Sequence, residues 1–184
     1  MSSSLSNRVN LAAKRRRKGL TLIEAAMVLT VLALVVAGVM LFYQNATTSQ
    51  KISQAAGQIS SIQQAVRSMF AGQSSYEGLQ NANIITALPR SMISGTDGIR
   101  NAFNGNVVVA PASSGTGLSA NAFTISFAGL PVDACVRLAA IDIGRSALSL
   151  SVNGAAAAAP PFNPTKAQTD CGSNNSSTLV WTLY

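Results

Sequence analysis

Between Lys14 and Tyr43 the chain reads KRRRKGLTLIEAAMVLTVLALVVAGVMLFY, and the passage from bases to apolar residues inside it decides the architecture. Arg8, Lys14, Arg15, Arg16, Arg17 and Lys18 all precede Gly19, and no acid comes before Glu24. From Ala25 to Tyr43 there are nineteen residues, of which only Thr30 is conventionally polar. A helix of that length rises about 28 Å, close to the hydrocarbon thickness of a bilayer. The segment can span. The positive block in front of it places the N-terminus in the cytoplasm and the long C-terminal part outside. An ordinary cleaved secretory signal, cut near Val35-Val36-Ala37, is the competing reading. Against it stand the length of the apolar run and the charge at Glu24, where such a signal is uninterrupted.

Charge and composition narrow the function. The formal net charge is +7, but the six bases before Gly19 carry nearly all of it and the remainder of the chain is only +1. The high isoelectric point therefore describes the first nineteen residues and not a basic binding face, so a nucleic-acid arm is a poor fit to a block followed at once by a membrane-length run. At 48% hydrophobic and 10% charged, the 184 residues suit one modest domain plus a segment that leaves water. There is no histidine, and the six acids are scattered, so neither a histidine-based metal site nor a catalytic triad can be assembled. No enzyme activity, cofactor or metal is expected. Gly115-Thr116-Gly117 lacks a following lysine and reads as a hairpin loop instead of a phosphate cradle.

After Tyr43 the helical pattern continues with a polar face. Ile52, Ala55, Ala56, Ile59, Ile62, Val66, Met69 and Phe70 recur at spacings of three and four, and Gly72 supplies a stop. One helix from Leu20 to Phe70 is predicted, with Gly38 and Gly57 as points where it can bend or unwind. Residues 73–105 read as a loop-rich connection with one short helix. Four strands follow: Asn106 to Ala110, Phe123 to Phe127, Leu148 to Val152, and Leu179 to Leu183, the last three alternating apolar with polar residues. Pro131 to Ile141 has helical spacing, and Ala155 to Pro164 reads as a low-complexity surface excursion. The fold class is thus α+β, a long N-terminal helix packed on an antiparallel sheet.

The only two cysteines, Cys135 and Cys171, lie on the side of the membrane where disulfides persist, so a single bridge between them is expected. Cys135 falls on the predicted short helix and Cys171 in the loop before the last strand. Two unpaired thiols are the alternative.

The motif Lys18-Gly19-Leu20-Thr21-Leu22-Ile23-Glu24, followed directly by the apolar run, resembles the processing site of type IV prepilins. The resemblance implies a basic leader of residues 1–19, cut by a prepilin peptidase between Gly19 and Leu20, and N-methylation of Leu20. It implies a helix over residues 20–72, membrane or filament core to 43 and amphipathic from 44, and a globular head over 73–184. A glycine admits close approach of a peptidase to the backbone. The long leader, Leu20 in place of phenylalanine, Met92 to Asn101, and Leu130 to Cys135 look like the type IVb subclass, including the pilins of thin conjugative pili and enteric type IVb pili.

Glu24 is the residue with the sharpest role. A carboxylate at the edge of a spanning helix costs about 2–3 kcal/mol on insertion scales. The family resemblance implies that it neutralises the Leu20 amine of an adjoining subunit and sets their stagger; the bland alternative leaves it in the headgroup region. The function implied is that of a major pilin, inserted in the inner membrane with its head in the periplasm and passed by the pilus assembly machinery into an extracellular homopolymer for adhesion, aggregation or conjugative contact. A minor pilin, a secretion pseudopilin and a membrane-anchored periplasmic binding domain are the alternatives. Long filaments in sheared supernatant separate the first from the last.

Overall fold

The computed structural model describes residues 21–115, 117–173 and 175–184 of the chain. Gly19 and Leu20 lie outside the described residues. Helix α1 runs unbroken over Leu22–Met69, 48 residues, and crosses the boundary between two compact units, Met1–Tyr43 and Gln44–Tyr184. Gly38 and Gly57 are both helical, so neither unwinds it.

In the N-terminal unit the helix keeps its apolar side chains in the open: Leu22 is 93% exposed, Leu34 71% and Phe42 77%. None of its most apolar window is buried, and α1 is the one helix among the described residues long and apolar enough to cross a membrane.

The C-terminal unit uses the rest of α1 differently. Ile52, Ala55, Ile59, Ile62, Ala65 and Val66 form a buried stripe and enter one core with the sheet. After α1 come a short α2 (Asn81–Ile84), two 3₁₀ turns, and strands β1 (Ile93–Ser94), β2 (Gly98–Arg100), β3 (Asn106–Ala112) and β4 (Ala122–Leu130). Helix α3 (Val132–Ala140), β5 (Ala147–Val152), α4 (Pro164–Cys171) and β6 (Ser177–Leu183) complete the unit. The six strands lie in the order β1-β2-β3-β4-β6-β5 and every pairing is antiparallel. Register aligns Val109, Ile125, Trp181 and Leu150 in one row across the sheet. Val107, Phe127, Leu179 and Val152 form the next row. All eight are buried, while their alternating neighbours Ser126, Thr124, Val180 and Thr182 are only partly covered. Phe127 and Trp181 meet edge-on at 5.6 Å.

Three expectations need correction. The sheet has six strands and not four, because the hairpin β1–β2 inside residues 93–100 is too short to show alternation. Cys171 ends a helix, α4, and does not sit in a loop. Asn163 caps that helix by accepting from Lys166 N–H at 2.7 Å, and Pro164 opens it. Nor is the alanine-rich stretch a plain surface excursion, since Ala158 bridges to Leu150 and Phe162 is buried. The disulfide Cys135–Cys171 is present, with a Cα–Cα distance of 6.0 Å, and ties α3 to α4.

Polar side chains finish the sheet where strands stop. Past the first residue of β2, Asn81 donates to Val107 O and accepts from Val109 N, both at 2.8 Å, standing in for a missing strand. Buried Asn101 accepts from Phe103 N and Gly105 N and donates to Ala128 O at 2.8 Å, clamping its loop to a bulge in β4. The approach requires a glycine: a Cβ on Gly105 would overlap the Ala128 carbonyl and lie 2.8 Å from Asn101 Nδ2. Both obstacles are fixed, so Gly105→Ala is expected to destabilise the C-terminal unit by roughly 3 kcal/mol, the upper part of the overpacking range. Thermal unfolding of the purified variant checks this; an unchanged midpoint would show that the loop moves aside freely.

Candidate assembly site

The first described turn of α1 is held by Thr21. Its hydroxyl accepts from Glu24 N–H at 3.3 Å, and its carbonyl accepts from Ala25 N–H at 3.0 Å. Thr21 is therefore the N-cap, and Thr21-Leu22-Ile23-Glu24 is a capping-box sequence. Reading the sequence for charge overlooked this role; the Thr-x-x-Glu spacing was the available signal. The cap uses the threonine hydroxyl, so the first turn forms without drawing on the Glu24 carboxylate to satisfy that N–H.

Glu24 is exposed in that first turn and has no ion pair among the described residues. It sits in an acid-poor region at the helix end whose partial charge is positive, a favourable place for a carboxylate. Beyond it the helix presents Met27, Val28, Val31, Leu32, Leu34 and Val35 to its surroundings, each at least half exposed. A surface this apolar needs lipid or other helices around it. Thr30 adds no polarity at the surface because its hydroxyl donates to Ala26 O at 2.6 Å.

The two other candidate positions, Cys135 and Cys171, belong to the C-terminal unit, where their bridge ties α3 to α4. Among the described residues no group of acids, histidines or cysteines is arranged to hold a metal ion.

A family model described as Bundlin matches residues 44–183, the whole C-terminal unit but for its last residue. The chain belongs to the bundlin family. A second model, the prokaryotic N-terminal methylation motif, matches residues 14–40 and so spans Gly19, Leu20 and Glu24. Over 143 residues this bundlin is 37% identical to the major structural subunit of the bundle-forming pilus of Escherichia coli O127:H6, covering 76% of the chain and 72% of that relative. It is 30% identical over 129 residues to the toxin coregulated pilin of Vibrio cholerae, covering 68% of the chain and 58% of that protein.

Two crystal structures share the fold. The type IVb pilin of Salmonella typhi superposes with a TM-score of 0.56 at 20% identity, over 70% of this chain and 97% of that one. The Vibrio cholerae El Tor pilin gives 0.52 at 18%, over 73% and 99%. The chain thus has the fold of those pilins, and its family and relatives make it a structural subunit of a pilus. Its apolar N-terminal helix and methylation motif belong to a membrane-anchored precursor.

Proposed function

We infer that the chain is made as an inner-membrane precursor with a cytoplasmic leader and a periplasmic head, is cut after Gly19 by a prepilin peptidase, is methylated at Leu20, and polymerises as the major subunit of an extracellular helical filament. The observation that carries the reading is the first part of α1, an apolar helix open on all sides with a lone carboxylate in its first turn. In the membrane, lipid covers that helix; in the filament, copies of itself replace the lipid.

Cleavage creates an amine at Leu20, four residues before Glu24. In the dry interior of a helix bundle an unpaired charge of either sign is costly, and a carboxylate from one subunit meeting the amine of the next satisfies both. Such a pair also fixes the axial offset between neighbours, because only one stagger brings the groups together. The head is the part the assembled filament displays, and lateral association of filaments is taken over from the bundle-forming relative.

Mass spectrometry of the mature protein is expected to find an N-terminus at Leu20 with one added methyl group. An N-terminus near Gly38 would replace this reading by ordinary signal-peptide cleavage, and a protein retained whole in the membrane fraction would replace it by a permanent anchor.

A further inference from the structure

The sheet ends at β5, and an edge strand left open is a template for another chain. Here the edge is extended by one more arm. Val152-Asn153-Gly154-Ala155 is a tight turn, with φ of 51° at Asn153 and 77° at Gly154, the left-handed pair that an Asn-Gly hairpin turn uses. It is closed by Ala155 N–H donating to Val152 O at 2.8 Å. The chain then returns alongside β5, where Leu150 and Ala158 exchange both backbone hydrogen bonds, at 2.8 and 3.0 Å.

That exchange fixes the orientation of the neighbours. The peptide planes on either side of Ala158 are set by that exchange, so the Ala157 C=O and the Ala159 N–H, which lie opposite to the Ala158 N–H and C=O, point away from β5. Neither has a hydrogen-bond partner among the described residues. Ala155, Ala156, Ala157 and Ala159 are all exposed. The usual guards of an open edge, charged side chains, are missing, since no charged residue occurs between Arg145 and Lys166.

Resting on the reading of this chain as a filament subunit, we propose that Ala155–Ala159 is the surface by which neighbouring filaments hold one another side by side, pairing edge to edge with the same segment of a second copy. The register follows from the groups left open. Ala157 pairs with Ala159 of the second copy and Ala159 with its Ala157, the Ala159 N–H donating to the Ala157 C=O in each, around a central Ala158–Ala158 contact. The pairing ends on both sides of this segment. Ala155 already spends its N–H on Val152 and its carbonyl on Ser151 Oγ, and Pro161 has no N–H. Alanine side chains let the two backbones approach, and the absence of charge makes the segment compatible with itself. A contact this short is weak singly, which keeps free subunits apart, and strong when repeated along two filaments.

The experiment uses intact filaments, examined by electron microscopy and by low-speed sedimentation after shearing. Ala157→Lys leaves the bonds to β5 untouched and places a charge on the outward position of every copy. It is expected to give normal filament yield with at least a tenfold fall in the fraction sedimenting as bundles, whereas Ala157→Ser keeps bundles. In Ala158→Cys, the central contact has a Cα separation of about 4.5 Å, within disulfide reach. Mild oxidation of bundled filaments should therefore yield a cross-linked dimer. Bundling of Ala157→Lys filaments at wild-type level would overturn the proposal, and so would bundled Ala158→Cys filaments that give no dimer. If Ala157→Lys makes no filaments, the cross-link alone decides. Absence of filaments from the unaltered protein would instead count against its being a filament subunit.

Discussion

Glu24→Ala is expected to abolish filaments while leaving every earlier step intact: cleavage after Gly19, membrane insertion, and a folded, disulfide-bonded head. The separation of steps follows from where Glu24 lies. It is in the N-terminal unit and is no member of the C-terminal unit's core, and the cap that starts α1 is formed by the Thr21 hydroxyl with the backbone N–H of residue 24, which alanine retains. Removing a carboxylate makes insertion easier on insertion scales, so loss of filaments through failed targeting would have the wrong sign. The defect is confined to assembly, where the Leu20 amine of a neighbour is left without its partner. Stranding one member of a buried pair costs roughly 3–5 kcal/mol, and a polymer meets that cost at every subunit. Glu24→Gln tests charge against shape, because it keeps the volume and deletes the charge. Filament yield measured in sheared supernatant, beside the amount of processed pilin in the membrane, gives the result; normal yield from the glutamine variant would show that charge neutralisation does not align the subunits.

The sequence announces those elements whose burial leaves a periodic trace, and hides those that do not. Helix α1 was legible twice over, first as an unbroken apolar run and then as the stripe from Ile52 to Val66, because one half is apolar on every side and the other turns one face to a core. Three of the four longer strands were legible through alternation, which the buried rows of the sheet account for, and β3 through its run of valines ahead of Pro111. Helix α4 was not. Its sequence PTKAQTDC buries only Ala167 and Cys171, so there is no stripe to see, and its evidence lay in the cap Asn163 and in Pro164 at the first turn. The hairpin β1–β2 escaped because it is too short to alternate, and the clamps Asn81 and Asn101 because they are fixed by hydrogen bonds to backbone far along the chain, at separations of 26 to 28 residues. At the assembly site Glu24 stood out as a single charge at an apolar boundary, whereas Thr21 needed its spacing to Glu24 to be read as a cap.

Removing the bridge, as Cys135→Ser with Cys171→Ser, is expected to lower the amount of pilin by destabilising the head before assembly, with the N-terminus processed as usual. The two cysteines are 36 residues apart, and closing a loop of that length is worth roughly 4 kcal/mol in the chain-entropy account. A small domain holds about 5–15 kcal/mol in total, so the loss is a large part of what there is. Local structure determines where the damage starts. With so few buried residues of its own, α4 depends on the bridge to stay against α3, whose Ala134, Leu138 and Ala139 remain anchored in the core. What α4 holds in turn is the turn after β5: Asn153 donates to Asp170 O at 3.1 Å and accepts from Thr178 N–H at 2.8 Å. Freed from the bridge, α4 takes the Asn153 contact with it and loosens the ends of β5 and β6, while α1 and β3–β4 keep their packing. Limited proteolysis of the double variant is therefore expected to cut first between residues 153 and 176. A thermal midpoint equal to that of the unaltered protein, or first cleavage within α1, would show that packing and not the bridge keeps α4 in place.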